Sequence, residues 1–227
     1  MGLKHHPRVV TNGLVYYLDA ANTRCYSGSG ITANALIGGI GGTLVNGVGF
    51  GTTNNGSFTF DGTNDYIDCG NFLYNPTDFT VIAWQKTTLS TLQMIVAKLG
   101  SYGSGAGWGL HTRSDLGLSL IIQTDGVNWR TYHTSKITSD GIWHHVAATI
   151  VNKVPTAFYV DGVVYSYSGQ SGGIIGSISN SVNVRIGRDE ANEYIFNGSI
   201  SNTLIYNRAL TAQEVLQNYN ATKKRYV

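Results

Sequence analysis

The run Thr156-Ala-Phe-Tyr-Val160, the pair Asp161-Gly162 and the run Val163-Val-Tyr-Ser-Tyr167 decide what kind of protein this is. Two stretches rich in β-branched and aromatic residues flank two residues that tolerate left-handed backbone, and that is a strong short-range hairpin signal. Outward from it, Trp143 to Ile150 pairs with Thr156 to Val160 across the link Asn152 to Pro155. Phe79-Thr-Val-Ile-Ala-Trp84 is largely apolar in both alternating sets, which predicts a strand covered on both sides. Leu14 to Leu18, Met94 to Ala97, Gly107 to His111 and Leu118 to Gln123 are further β-type runs. So are Trp129 to Thr134, Val182 to Ile186 and Ser199 to Tyr206, with Asp125-Gly126 as the turn before Trp129. Ser57-Phe-Thr-Phe60 and Tyr66-Ile-Asp-Cys69 flank Asp61 to Asp65 and predict another hairpin. About a dozen short strands punctuated by turns mean an all-β, two-sheet antiparallel sandwich.

Composition agrees. Of 227 residues, 29 are glycine and only 3 proline, a balance that suits tight turns rather than a disordered chain. Charged residues make up 12%, too few to dress the exposed faces of a helical bundle. One helix is expected near the C-terminus. Thr211-Ala-Gln-Glu214 is a capping box, and Val215, Leu216 and Tyr219 form its apolar stripe.

The net charge of +2 supplies no field that would steer the protein to nucleic acid or a membrane surface. No apolar stretch approaches the roughly 18 residues needed to span a bilayer. The N-terminus has no secretory h-region, and His6 stands where a myristoylation signal requires Ser or Thr. Cys25 and Cys69 therefore read as free thiols of a soluble protein made in a cytoplasm. Residues 1–12 carry Lys4, His5, His6 and Arg8 with a proline, and predict a docking arm ahead of a single domain over 13–227. Lys223-Lys224-Arg225 is expected to be a solvated tail.

Six short segments, taken in order, carry a resemblance. They are Phe60-Asp-Gly-Thr-Asn-Asp-Tyr66, Phe79 to Trp84, Trp143-His-His-Val-Ala147, Phe158-Tyr-Val-Asp-Gly162, Arg185-Ile-Gly-Arg188 and Phe196-Asn-Gly-Ser-Ile200. The series resembles the LamG-like, concanavalin A-like lectin/glucanase jelly roll, from about Gly13 to Tyr226. Gly13-Leu-Val-Tyr-Tyr-Leu-Asp-Ala-Ala-Asn22, Ile205 to Leu210, Glu214 to Ala221 and Arg225-Tyr226 are similar to the version found in virion proteins of tailed bacteriophages. The resemblance implies a jelly roll at a virion surface, assembled in the host cytoplasm beside capsid or tail subunits, with homo-oligomers among its partners. A head decoration protein is the first reading, since no heptads or fibrous repeats supply a shaft. A fibre or tail adhesin that binds host-surface glycans is the alternative.

The residues bear on chemistry as follows. The glutamates are Glu190, Glu193 and Glu214, and Asp189-Glu190-Ala-Asn-Glu193 lacks the Glu-x-Asp-x-x-Glu spacing of related glucanases, so no enzyme is expected. His144 and His145 are adjacent on a strand and point to opposite faces, which keeps them from sharing a metal. Calcium is the one cofactor the resemblance raises, with Asp19 and the loop of Asp61, Asn64, Asp65 and Asp68 as oxygen donors. Against it, Ser201 and Asn202 stand where many relatives place an acid. A glycan patch is expected from aromatic platforms beside planar polar groups: Tyr102, Trp108, Asp125, Asn128, Trp129, Arg130 and Tyr132. Core packing is the competing role for these tryptophans.

Overall fold

The computed structural model describes residues 8–101, 105–113, 115, 117–124, 128–171 and 176–227. Its strands begin with β1 (Leu14–Asp19), β2 (Thr32–Ala33), β3 (Gly42–Val45), β4 (Gly49–Gly51), β5 (Ser57–Asp61) and β6 (Tyr66–Asp68). They continue with β7 (Phe79–Lys86), β8 (Gln93–Leu99), β9 (Gly107–Arg113), β10 (Gly117–Gln123), β11 (Trp129–Thr134) and β12 (His144–Val151). The rest are β13 (Val154–Val160), β14 (Val163–Tyr165), β15 (Tyr167–Ser171), β16 (Arg185–Ile186) and β17 (Asn197–Tyr206), followed by helix α1 (Ala212–Thr222).

They form two antiparallel sheets. The first has the order β14-β13-β12-β7-β17-β5-β4, with β1 also paired to β17, and the second runs β15-β11-β10-β9-β8-β16-β6-β3-β2. Val81, Ala83 and Phe79 of the first sheet meet Leu110, Leu120 and Trp108 of the second, the Phe79 and Trp108 rings lying 5.2 Å apart. The opposite face of the first sheet is also covered. Ile82, Ala147, Leu204 and Tyr206 pack beneath Val215 of α1 together with Leu210 and Val10. Strand β7 is thus buried on both faces, as its two apolar sets predict.

The turns around Thr156–Val160 take the expected form. Asp161 (φ 53°) and Gly162 (φ 78°) join β13 to β14, and Asn152 (φ 51°) with Lys153 (φ 61°) joins β12 to β13. Both pairs hold the left-handed backbone that a tight hairpin needs. The hairpin predicted around Asp61 to Asp65 is absent. Strand β5 pairs with β4 and β17, whereas β6 pairs with β3 and β16 in the other sheet. Phe60 and Ile67 face one interior from opposite walls, and the link is a corner held by Asp61 N donating to Asp65 Oδ2 at 3.1 Å. Alternation and turn residues serve a corner as well as a hairpin. Strands β2, β3 and β4, of two to four residues, carry no periodicity that the sequence could show.

Thr211 and Glu214 form the predicted capping box. The buried stripe of α1 differs from expectation, being Val215, Asn218 and Thr222, while Leu216 is 43% exposed. Polar contacts set this face. Asn218 accepts from Val10 N at 2.8 Å and donates to the Tyr206 hydroxyl, and Thr222 accepts from Trp84 Nε1 at 2.8 Å. The same contacts correct the domain boundary. Residues 8–12, placed in the arm by the sequence, are part of the fold: Tyr206 donates to Val10 O, Gln217 to Arg8 O and Arg208 to Asn12 O. Lys4, His5 and His6 lie outside the described residues. Nor is Lys223-Lys224-Arg225 a solvated tail, because Arg225 is paired with the buried Asp19.

Candidate functional site

The residues expected to form one glycan patch do not share a surface. Trp108 is fully buried in the core, and Tyr132 is buried there too, edge-on to Tyr167. Register explains the separation. Trp108 lies opposite Ile122, which lies opposite Arg130, so these three point inward, and Trp129, one place along β11, points to the other face. Trp129, Arg130 and Asn128 are half-buried, and Asn128 O accepts from Thr124 N at 2.9 Å. Tyr102 and Asp125 lie outside the described residues.

The calcium donors do not converge either. Asp19 and Asp61 pair with β17 five residues apart, at Asn202 and Asn197, a separation of about 16 Å along a strand. Both oxygens of Asp19 are engaged by Arg225, with the Tyr17 hydroxyl and Ala21 N adding hydrogen bonds. Asp61 Oδ1 accepts from Thr63 N and Asn64 O from Asn46 Nδ2, turn contacts that need no ion. Burial raises the pKa of Asp65. Among the described residues no three His, Cys, Asp or Glu side chains gather as a metal shell. The residues present do not fit the calcium site that the resemblance implies.

What the fold does build is a cup in the link between β6 and β7. Leu73, Tyr74, Asn75, Pro76, Thr77 and Asp78 line it, Asn207 closes it, and its volume is about 430 Å³. That falls within the roughly 300–1,000 Å³ of small-molecule sites. Two segments brace its wall through three hydrogen bonds. Asn75 Oδ1 accepts from Ile178 N at 3.2 Å, while Asp78 Oδ1 accepts from Asn152 N at 2.9 Å and Thr77 O from Lys153 N at 2.8 Å. Asn207 N donates to Gly13 O, which fixes the far rim. Leu73 holds a left-handed backbone (φ 56°), and the Tyr74 that follows is 61% exposed. The buried Lys98 places its ammonium 5.7 Å from the Tyr74 centroid and donates to Asn71 Oδ1 and Val182 O. Burial lowers the Lys98 pKa to about 8. An exposed aromatic ring, two carboxamides, a hydroxyl and a carboxylate on one braced rim are the groups that hold a polyhydroxylated ligand. Sequence reasoning missed this site, although Tyr74-Asn-Pro-Thr-Asp78 is a turn cluster carrying an aromatic residue.

The histidines are divided between charged and neutral environments. His144, buried, has Nδ1 2.7 Å from Asp161 Oδ2 and Nε2 3.0 Å from Asp140 Oδ1. Burial disfavours its charge, but the hydrogen bonds to Asp161 and Asp140 outweigh that and raise its pKa. His111 and His145 have theirs lowered to about 4 by burial, and His145 packs edge-on against Trp84. Glu190 is paired with Arg185 at 2.7 Å.

Residues 61–216 match the family described as the concanavalin A-like lectin/glucanases superfamily. No curated protein matches the chain. Among solved structures, the binding domain of Paraclostridial Mosquitocidal Protein 1 is similar at a TM-score of 0.70 and 17% identity, over 92% of this chain and 52% of that one. Trypanosoma rangeli sialidase in complex with the inhibitor DANA is similar at 0.63 and 16%, over 96% of this chain and 34% of that one. The same sialidase as a covalent intermediate with 2,3-difluorosialic acid gives 0.62 and 15%, over 96% and 35%. The chain thus spans about half or a third of the proteins it is similar to. These likenesses bear out the jelly roll. They also overturn the expectation that the chain is not an enzyme, since the matched structures include a sialidase and the fold therefore occurs within a catalytic chain. At such identity the likeness shows the fold alone and assigns no reaction.

Proposed function

From the premise that this chain belongs to the concanavalin A-like lectin/glucanases superfamily, we propose that it is a saccharide-binding domain displayed on the surface of a tailed-phage particle. The observation that carries the binding part is the braced cup, where the exposed Tyr74 stands beside Asn75, Thr77, Asp78 and Asn207. An aromatic face stacks on the apolar face of a sugar ring, and the carboxamides and carboxylate meet its hydroxyls. Two carboxamides and a carboxylate give both donors and acceptors, which a polyhydroxylated ring needs. Tyr74→Ala is expected to remove binding on a broad glycan array while the domain stays folded. Retained binding would place the saccharide elsewhere.

The virion part rests on the resemblance of the terminal segments to phage virion proteins. Those segments form one unit in the fold. Strand β1 lies on β17, Asp19 holds Arg225, and the Tyr226 ring stacks on Trp84 at 4.1 Å. Assembly in the host cytoplasm against capsid or tail subunits follows from this reading. Head decoration, the first reading from the sequence, and a fibre or tail adhesin, the alternative, are separated by copy number. Mass spectrometry of purified particles giving a ratio near one per major capsid subunit, or a simple fraction of it, supports decoration. A few tens of copies or fewer supports a fibre or tail adhesin, and none removes the protein from the virion.

A further inference from the structure

The cup is electrostatically one-sided, and on the saccharide reading above we infer that it accepts neutral saccharides and rejects those bearing a carboxylate, with Asp78 as the discriminating residue. Of the seven residues that line the cup, Asp78 alone is charged. Three cations lie near it, and none of them lines it. Lys98 Nζ lies 5.7 Å from the Tyr74 ring centroid and donates to Asn71 Oδ1 and Val182 O. Lys153, whose backbone N–H braces Thr77, sends its ammonium to Gly176 O at 2.6 Å. Arg208, next to Asn207, is closed on Glu214 at 2.6 and 2.9 Å. A ligand in the cup therefore touches one charged group, the Asp78 carboxylate, while Lys98 and Lys153, whose bonds to neutral oxygens leave their charge in place, stand outside the lining.

The carboxylate is also held in place. Asp78 Oδ1 accepts from Asn152 N at 2.9 Å, in the tight turn between β12 and β13, so the group cannot swing away from an incoming anion without losing that bond. An ionised carboxylate only accepts hydrogen bonds. A sugar hydroxyl can donate to it, whereas a sugar carboxylate has nothing to donate and brings a like charge. At separations of about 5 Å near a protein surface, that repulsion weakens binding about tenfold or more. The carboxamides of Asn75 and Asn207 serve either kind of ligand, so Asp78 makes the distinction.

The test uses the full chain, ¹⁵N-labelled, and pairs of probes that differ only in charge. The probes are methyl hexopyranosides of gluco, galacto and manno configuration and the matching methyl hexuronates. Shifts of the Asn75 and Asn207 side-chain amide signals report occupancy of the cup. The neutral member of at least one pair is expected to bind about tenfold or more tightly than its uronate. In Asp78→Asn, which can still accept from Asn152 N, that gap should shrink to about twofold, and added salt should narrow it in the wild type. Uronates that bind as tightly as hexosides, or a gap that persists in Asp78→Asn, would overturn the charge selection and leave the saccharide reading standing. If neither class moves the two amide signals, both readings fall together.

Discussion

Nη1 of Arg225 sits 2.7 and 2.9 Å from the two carboxylate oxygens of Asp19, joining residues 206 positions apart. Asp19 is almost completely buried at the end of β1, and Arg225 lies beside the Tyr226 ring that stacks on Trp84. The charge is therefore structural. It ties the segment after α1 to the outer face of the first sheet, where a sequence reading sees only a basic run.

Removing the cation leaves a buried carboxylate without its partner. Arg225→Ala is expected to lower the unfolding free energy by about 3–5 kcal/mol. Lys224→Ala, at an exposed neighbouring position, should change it by less than about 0.5 kcal/mol. Urea denaturation of the two variants compares them directly, and equal midpoints would mean that the pair contributes nothing.

Histidine protonation should give stability a maximum in pH. Both ring nitrogens of His144 face carboxylates, so the folded state favours the imidazolium and its pKa is raised. That contribution is fully present below the unfolded value of about 6.5 and is lost as pH rises through the folded value. His111 and His145 act in the opposite sense. Held neutral with pKa values near 4, they withdraw stability as pH falls from about 6.5 toward 4. Thermal melts from pH 5 to 8, below the range where Lys98 and the two thiols titrate, should show the wild type losing stability above about pH 6.5, and His144→Gln should flatten that limb alone. An unchanged alkaline limb would refute the charged state.

Core and cup should separate under mutation. Trp108→Ala empties a fully buried site and is expected to cost about 3–5 kcal/mol. Tyr74→Ala, at an exposed ring, should cost less than about 0.5 kcal/mol while saccharide affinity falls at least several-fold. Denaturation and glycan titration of both variants supply the comparison. A stable Trp108→Ala that had lost only binding would restore the patch expected from sequence.

Truncation should show whether residues 8–12 belong to the fold. The chain starting at residue 8 is the reference for the melting temperature. Removal through residue 12 deletes the Val10 and Asn12 contacts with Asn218, Tyr206 and Arg208, and should lower it by 10 °C or more on the scale of about 2–4 °C per kcal/mol. If the longer deletion is equally stable, residues 8–12 are an arm after all.

The sheets were largely legible because their signals are local. Asp161-Gly162 and the alternation of Phe79 to Trp84 act through neighbours in the chain, and the capping box Thr211–Glu214 spans four residues. The site was not legible in the same way. Trp108 and Trp129 read alike as exposed platforms, yet cross-strand register sends them to opposite faces.

Residue order and periodicity thus carry the all-β sandwich, its hairpins and its helix, since backbone preference and side-chain alternation operate within a few residues. Which runs cross between sheets, as at Asp61 to Asp65, was settled by packing in three dimensions. So were the neighbours of Asp19 and the meeting of Tyr74 and Asp78 with Asn207. A binding surface is made of segments far apart in the chain, and their encounter depends on how two sheets bury their apolar faces against each other.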